Sequence, residues 1–246
     1  MKTKKRIWDK YHLLMERSYL RASGRLPEME SAIQLRSIIN HLKVNETVMD
    51  VGCAAGNYLR SIRKINKYSK YYGIDQTSKY ITFAKAYFKS DPNATFIRGN
   101  IYKLKKKADI VFCCNVLLHL PSIITPLTNL LKIFKKKLIV RTLISEETHL
   151  SKRFTFEDYN GGRILKDFAY ENTYSFNYIE KIIKSFDKNI KLKFLKDSFS
   201  PKKLNAERNI WKNKFSSSFT TKVLNNKIQI SGNKVFNWAW FTCTKE

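Results

Sequence analysis

At 246 residues, 43% hydrophobic and 13% aromatic, the chain has the length and composition of one well-buried α/β domain, which excludes the disordered, collagenous and low-complexity classes. Eight glycines and five prolines are few, and no apolar run reaches the roughly 18 residues that a membrane span needs. The 47 basic residues against 20 acidic ones leave a net charge of +27, which favours polyanionic partners; yet 35 of the 47 are lysines spread along the chain, and a solvated surface fits that pattern as well.

The N-terminus, Met1 to Lys10, is basic but precedes an amphipathic rather than an apolar stretch. It lacks the core of a signal peptide, and a cytoplasmic location is expected. Cys53, Cys113, Cys114 and Cys243 have neither C-x-x-C nor disulfide-framework spacing and read as reduced, buried small hydrophobes. His12, His41, His119 and His149 pair with no second histidine or carboxylate at ligand spacing, so no metal is indicated.

Apolar residues recur at helical spacing from Ile7 to about Ser23, and Gly24 ends the pattern. Pro27 opens a second helix through Leu42, completing a helical extension over residues 1–43. Then strands and helices alternate. Strands are expected at Glu46 to Gly52, Tyr71 to Asp75, Thr95 to Arg98, Ala108 to Asn115 and Leu138 to Leu143, with helices at Tyr58 to Ile65, Ser78 to about Lys89 and Thr125 to about Lys135. The near-continuous apolarity of the fourth strand suits a strand covered on both faces. Ser145 to Thr173 is polar and aromatic-rich with no firm period; a helix from Ser175 to Lys188 and a strand from Ile190 to Leu195 follow. A basic, Asn/Ser-rich stretch from Ser198 to Asn233 precedes a last strand from Val235 to Thr242. The expected fold is a single α/β domain over 1–246: a doubly wound, mostly parallel seven-stranded sheet with helices on both faces and an antiparallel last strand. Residues 46–144 form its core, and 145–174 and 198–234 are insertions on the substrate side.

The most informative segment is Val48-Met49-Asp50-Val51-Gly52-Cys53-Ala54-Ala55-Gly56-Asn57-Tyr58, a strand running through small residues into a helix. Small residues let backbone approach a ligand, and the helix start supplies unpaired N–H groups. A nucleotide-like ligand at the strand's carboxyl end is the natural reading. The dinucleotide fingerprint G-x-G-x-x-G and the phosphate loop G-x-x-x-x-G-K-[ST] are both absent.

Asp50 with Gly52, Ala54 and Gly56 resembles motif I of class I S-adenosylmethionine-dependent methyltransferases, an acidic residue two before G-x-G-x-G, with alanine at the middle glycine. Asp75, ending the second strand, matches the family's acidic residue that accepts from both ribose hydroxyls; a carboxylate suits a vicinal diol, although Asp can also cap a helix. Gly99-Asn100-Ile101 stands where the family has Gly-Asp at the adenine, and Cys114-Asn115-Val116-Leu117-Leu118-His119-Leu120-Pro121 resembles its V-L-H-H-I-P segment. The resemblance covers residues from about 46 to 145. It implies S-adenosyl-L-methionine as cofactor, bound by Asp50, Gly52, Cys53, Ala54, Gly56, Asp75, Gln76, Asn100, Ile101 and Asn115.

It also implies in-line displacement at the sulfonium methyl, in which the protein aligns the reactants and excludes water. His119 is the candidate base, the alternative being a packed or capping histidine. Arg141 either reaches the mouth of the site to bind an anionic acceptor or pairs with an internal carboxylate. Tyr174, with Tyr159, Asn160, Arg163, Tyr170 and Asn172, forms a candidate polar, aromatic substrate lid. The expected function is therefore methyl transfer to an O or N acceptor of a small molecule, sugar or glycan precursor. An RNA methyltransferase using Lys105–Lys107, Lys135–Lys137 and Lys202–Lys203 is the alternative, and a non-catalytic binding protein on the same fold is a third reading.

Overall fold

The computed structural model describes residues 12–159, 162–212, 222–225, 228–231 and 234–245. Helices α1 (His12–Ala22) and α2 (Glu30–Ile39) precede the strand-helix alternation. This runs β1 (Thr47–Val51), α3 (Leu59–Arg63), β2 (Lys70–Asp75), α4 (Ser78–Tyr87), β3 (Ala94–Arg98), β4 (Ala108–Cys114), α5 (Ile124–Ile133) and β5 (Phe134–Ser145). Trp8 and Tyr11, expected on the first helix, lie outside the described residues.

Strands β1 and β4 are buried on both sides, so their residues sort by parity. On β1, Val48 packs with the α2, α3 and α4 layer, while Met49 and Val51 pack with α5 and α6 (Phe176–Phe186). The same division places Ile110, Phe112 and Cys114 opposite Val111 and Cys113, so the adjacent cysteines face different layers. Period-two sorting of an unbroken apolar run is what makes the sheet doubly covered.

After β5, strand β6 (Lys152–Tyr159), β7 (Gly162–Tyr170) and the short β8 (Tyr174–Ser175) lead into α6, β9 (Lys191–Lys196) and α7 (Pro201–Lys212). Small strands β10 (Lys222–Leu224), β11 (Ile228–Ser231) and β12 (Lys234–Val235) precede β13 (Trp238–Thr244). The sheet order is β3-β2-β1-β4-β5-β13-β9, with β8 beside β5; β13 runs antiparallel to both of its neighbours, and the other pairings are parallel. Ser175 caps α6, its Oγ accepting from the Tyr178 N–H at 3.3 Å.

Two expectations are corrected. The stretch without a firm period contains an antiparallel ribbon, β6 paired with β7, whose register shifts between Thr155 and Phe156; that irregularity breaks the alternation by which a strand is recognised. The basic stretch after Ser198 carries α7 and the β10-β11-β12 meander rather than irregular chain. Among the described residues, no helix is long and apolar enough to cross a membrane, and no group of His, Cys, Asp and Glu is placed to hold a metal ion.

Candidate active site

The winding reverses between β1 and β4, so the loops leaving these strands part and open a crevice at the carboxyl edge of the sheet. A cavity of about 720 Å³ occupies it. One wall is the loop after β1. Gly52 has φ +84°, and a Cβ there would collide with Val116 of the β4 loop, so the turn brings bare backbone to the cavity. The N–H groups of Gly52 and Cys53 both donate to Ile74 O, at 2.7 and 3.1 Å. Ala54, at the family's middle glycine, has φ +48°; its methyl occupies left-handed backbone at a cost of about 1 kcal/mol.

Asp75 ends β2 at the same lip. Ala54 N–H donates to its Oδ2 at 3.0 Å and Thr77 N–H to its Oδ1 at 2.8 Å, so the backbone orients both oxygens. The second contact is the local turn that a capping role would also make. Gly52, Cys53, Ala54, Asp75, Gln76, Ile101, Asn115 and His119 all line the cavity.

Asp50, Gly56 and Asn100 do not. Residue parity on β1 turns Asp50, like Val48, to the face covered by α2, α3 and α4, where Tyr71 Oη donates to its Oδ2 at 2.6 Å. Burial, aided by the charge of Asp75, raises its carboxyl to about 8 despite that bond. Gly56 (φ +87°) serves packing: a Cβ there would come within 2.8 Å of Phe88 and 3.0 Å of Phe96. Asn100 spends its acceptor oxygen on the Tyr102 N–H at 3.0 Å, capping a short helical turn at Ile101–Lys103.

The two residues expected at the substrate are buried and do not line the cavity. Arg141 is 7% exposed and joins Asp197 by two hydrogen bonds, at 2.8 and 3.1 Å, with Trp238 stacked 4.1 Å from the guanidinium. Of its two readings, the geometry has the internal pair. Tyr174 is fully buried because β8 docks on β5; its hydroxyl donates to Leu117 O at 3.0 Å and accepts from Asn172 Nδ2 at 3.2 Å. Of the lid candidates, Tyr170 lines the cavity and Asn172 is buried, while Asn160 lies outside the described residues.

His119 Nδ1 sits 2.8 Å from Tyr170 O. A carbonyl only accepts, so Nδ1 carries the proton and Nε2 the lone pair. Burial lowers the imidazole to about 4, and the positive charges of Arg153 and Lys234 act in the same direction.

Sequence reasoning missed a wall of the cavity, the part formed by α1. Leu14, Arg17, Ser18 and Arg21 line it, and Ser18 Oγ accepts from Ala55 N–H at 3.2 Å and donates to Asn57 Oδ1 at 2.9 Å. The signal was their spacing, one helical face mixing polar with apolar groups. Phe168 and Tyr170 of β7 complete the opposite wall, edge to face at 5.3 Å.

A family model described as a methyltransferase domain matches residues 42–220. The chain belongs to that family, and its fold is that of the class I S-adenosylmethionine-dependent methyltransferases. None of the curated proteins matches it in sequence. Among solved structures it is similar to magnesium protoporphyrin IX methyltransferase from Synechocystis with bound S-adenosylmethionine (13% identity, TM-score 0.57), covering 97% of this chain and 93% of that one. It is also similar to an S-adenosylmethionine-dependent methyltransferase from Clostridium acetobutylicum (14% identity, TM-score 0.53; 97% and 96% covered). Phosphoethanolamine N-methyltransferase 2 of Haemonchus contortus has 13% identity and a TM-score of 0.63, over 97% of this chain and 59% of that one.

Proposed function

We propose that the cavity binds S-adenosylmethionine along the Gly52–Ala54 loop with its ribose hydroxyls on Asp75, and that the acceptor is an O or N of a small molecule, sugar or glycan precursor entering beside His119. The observation that carries this reading is the Asp75 carboxylate, held by two backbone N–H groups at the lip of a cavity whose facing turn has no room for a Cβ. Gln76, Ile101 and Tyr102 adjoin it as a wall for the base. The Asp75 carboxylate is an acceptor with two oxygens, which fits a vicinal diol.

Bound there, the cofactor supplies a methyl on positively charged sulfur, a leaving group that needs no acid. The chain aligns the acceptor, excludes water and takes a proton at His119 Nε2. RNA is the weaker reading for the acceptor, because Lys105–Lys107 precede β4 and Lys135–Lys137 open β5, at the sheet edge opposite the cavity. Calorimetric titration with S-adenosylhomocysteine tests the proposal: binding is expected, and Asp75→Ala should weaken it by about tenfold or more. A wild-type protein that takes up none would defeat the reading.

A further inference from the structure

The parallel strands begin at the edge of the sheet away from the cavity, and lysines gather there. Strands β2, β1, β4 and β5 are consecutive in the sheet, so at about 4.8 Å between neighbours their starts lie within about 15 Å. Register sets them level. Lys70 opens β2 opposite Thr47 of β1; Lys107 precedes Ala108 of β4, whose partner on β5, Phe134, is followed by Lys135. With Lys43 and Lys67 of the preceding loops, these five lysines are exposed. The acids of this rim are already engaged: Glu46 accepts from Lys136 Nζ at 2.6 Å, Asp91 from Arg63 Nε at 2.7 Å, and Asp109 from the Thr47 N–H and Oγ1 at 2.9 and 2.7 Å. Among the described residues no acid forms an ion pair with any of the five. Two apolar side chains project between them, Val44 at 60% exposure and Tyr68 at 56%. Asn66 ties their turns together, its Nδ2 donating to Leu42 O and its Oδ1 accepting from the Tyr68 N–H, both at 2.8 Å.

We infer that this rim docks on a bilayer carrying anionic lipid headgroups, with Tyr68 and Val44 entering the headgroup layer. The inference holds whatever the cavity binds. Lysine is a compact, hydrated point charge, attracted to a spread of negative charge without demanding a geometry, whereas nucleic-acid phosphates are read best by the arginine fork. The rim's Arg63 is spent on Asp91, through two hydrogen bonds at 2.7 and 3.2 Å. A nucleic-acid strand also wants a row of open aromatic faces to stack on. The Tyr68 ring here has Lys67 Nζ 4.9 Å from its centroid, and Tyr72 has Lys106 Nζ at 3.4 Å. A tyrosine among lysines suits a lipid interface, where an apolar ring with a polar tip sits at headgroup level. The lysines lie within about one or two screening lengths of each other at 0.1 M salt, about 10 Å, so they act on one charged plane together. Docked this way, the protein opens its cavity away from the lipid, and the acceptor enters from water.

The test sediments the full chain with vesicles of phosphatidylcholine, with and without phosphatidylserine. The wild type should bind only where phosphatidylserine is present, and should be released as NaCl rises from about 0.1 M to about 1 M, which shortens the screening length from about 10 Å to about 3 Å. Lys70→Glu, Lys107→Glu and Lys135→Glu together should lower the partition coefficient by about a hundredfold, at about fivefold per lysine. The same charge change at Lys181 on α6, Lys196 at the far end of β9 and Lys202 on α7, all exposed away from this rim, should lower it by less than about tenfold. Both triple variants should melt within about 3 °C of the wild type, and the lipid and salt dependence of the wild type needs no variant at all. The inference is overturned if the wild type ignores phosphatidylserine vesicles or binds neutral ones as tightly, or if the two triple variants lose binding equally. It is overturned too if the rim variant keeps its vesicle binding and loses affinity for a single-stranded RNA instead, which would assign the rim to nucleic acid.

Discussion

Arg141 on β5 and Asp197 just past β9 form a two-bond ion pair across the intervening strand β13, at 2.8 and 3.1 Å, although 56 residues separate them in sequence. Both side chains are almost wholly buried, so each charge depends on the other. Asp197→Ala should cost about 3–5 kcal/mol by stranding the guanidinium among Trp238, Trp240 and Asn115. Urea unfolding measures this directly, and an unchanged midpoint would show that the pair contributes nothing.

Gly52→Ala should damage the cofactor end more than the fold. Its φ of +84° disfavours a side chain, and the added methyl would strike Val116, so the loop must shift away from the cavity. The expected result is a stability loss of about 1–3 kcal/mol with S-adenosylhomocysteine binding weakened by about tenfold or more. Adding Val116→Ala relieves the collision but not the backbone strain, so calorimetry should find only partial recovery.

The stability of the protein should fall in acid through His119. Its folded value is about 4 against an ordinary 6.5, so between those limits the unfolded chain takes up a proton that the native imidazole refuses. The contribution is complete above pH 6.5, is lost as the pH falls toward 4 and amounts to about 3 kcal/mol at most. His119→Gln should flatten this part of the curve of urea midpoint against pH. If His119 is the base, kcat/KM of the wild type should keep its plateau below pH 6.5, because the working form is the neutral one.

Asp50 acts in the opposite sense. Its folded carboxyl stands at about 8 against 3.8, so the native state keeps a proton that the unfolded chain releases, and stability declines as the pH rises through that interval. Tyr71→Phe removes the hydrogen bond that favours the carboxylate, so the Asp50 value should rise further and the decline should extend above pH 8. Carbon-13 titration of the Asp50 carboxyl checks the direction; a lower value in the variant would reverse the assignment.

The alternation from β1 to β5 was legible because parallel strands covered on both faces leave a local record: apolar runs such as Ile110 to Cys114, with Gly52 and Gly99 just past strand ends, separated by residues at helical spacing. Asp75 and the Gly52–Ala54 loop were legible for the same reason, being functions of where a strand ends. The ribbon of β6 and β7 was not, since its register shift at Thr155 interrupts the period that would have marked it.

The chain's own order of residues determines strand ends, turn chemistry and the parity of each side chain, because backbone geometry sets these over a few neighbours. It does not determine which distant groups share a space. Asp50 facing Tyr71, α1 supplying a wall of the cavity, Tyr174 beneath the β4 loop and Arg141 orienting Asn115 all follow from elements brought together only after folding. In a packed interior a polar group settles on whichever partner satisfies it through space, and sequence separation carries no weight in that choice.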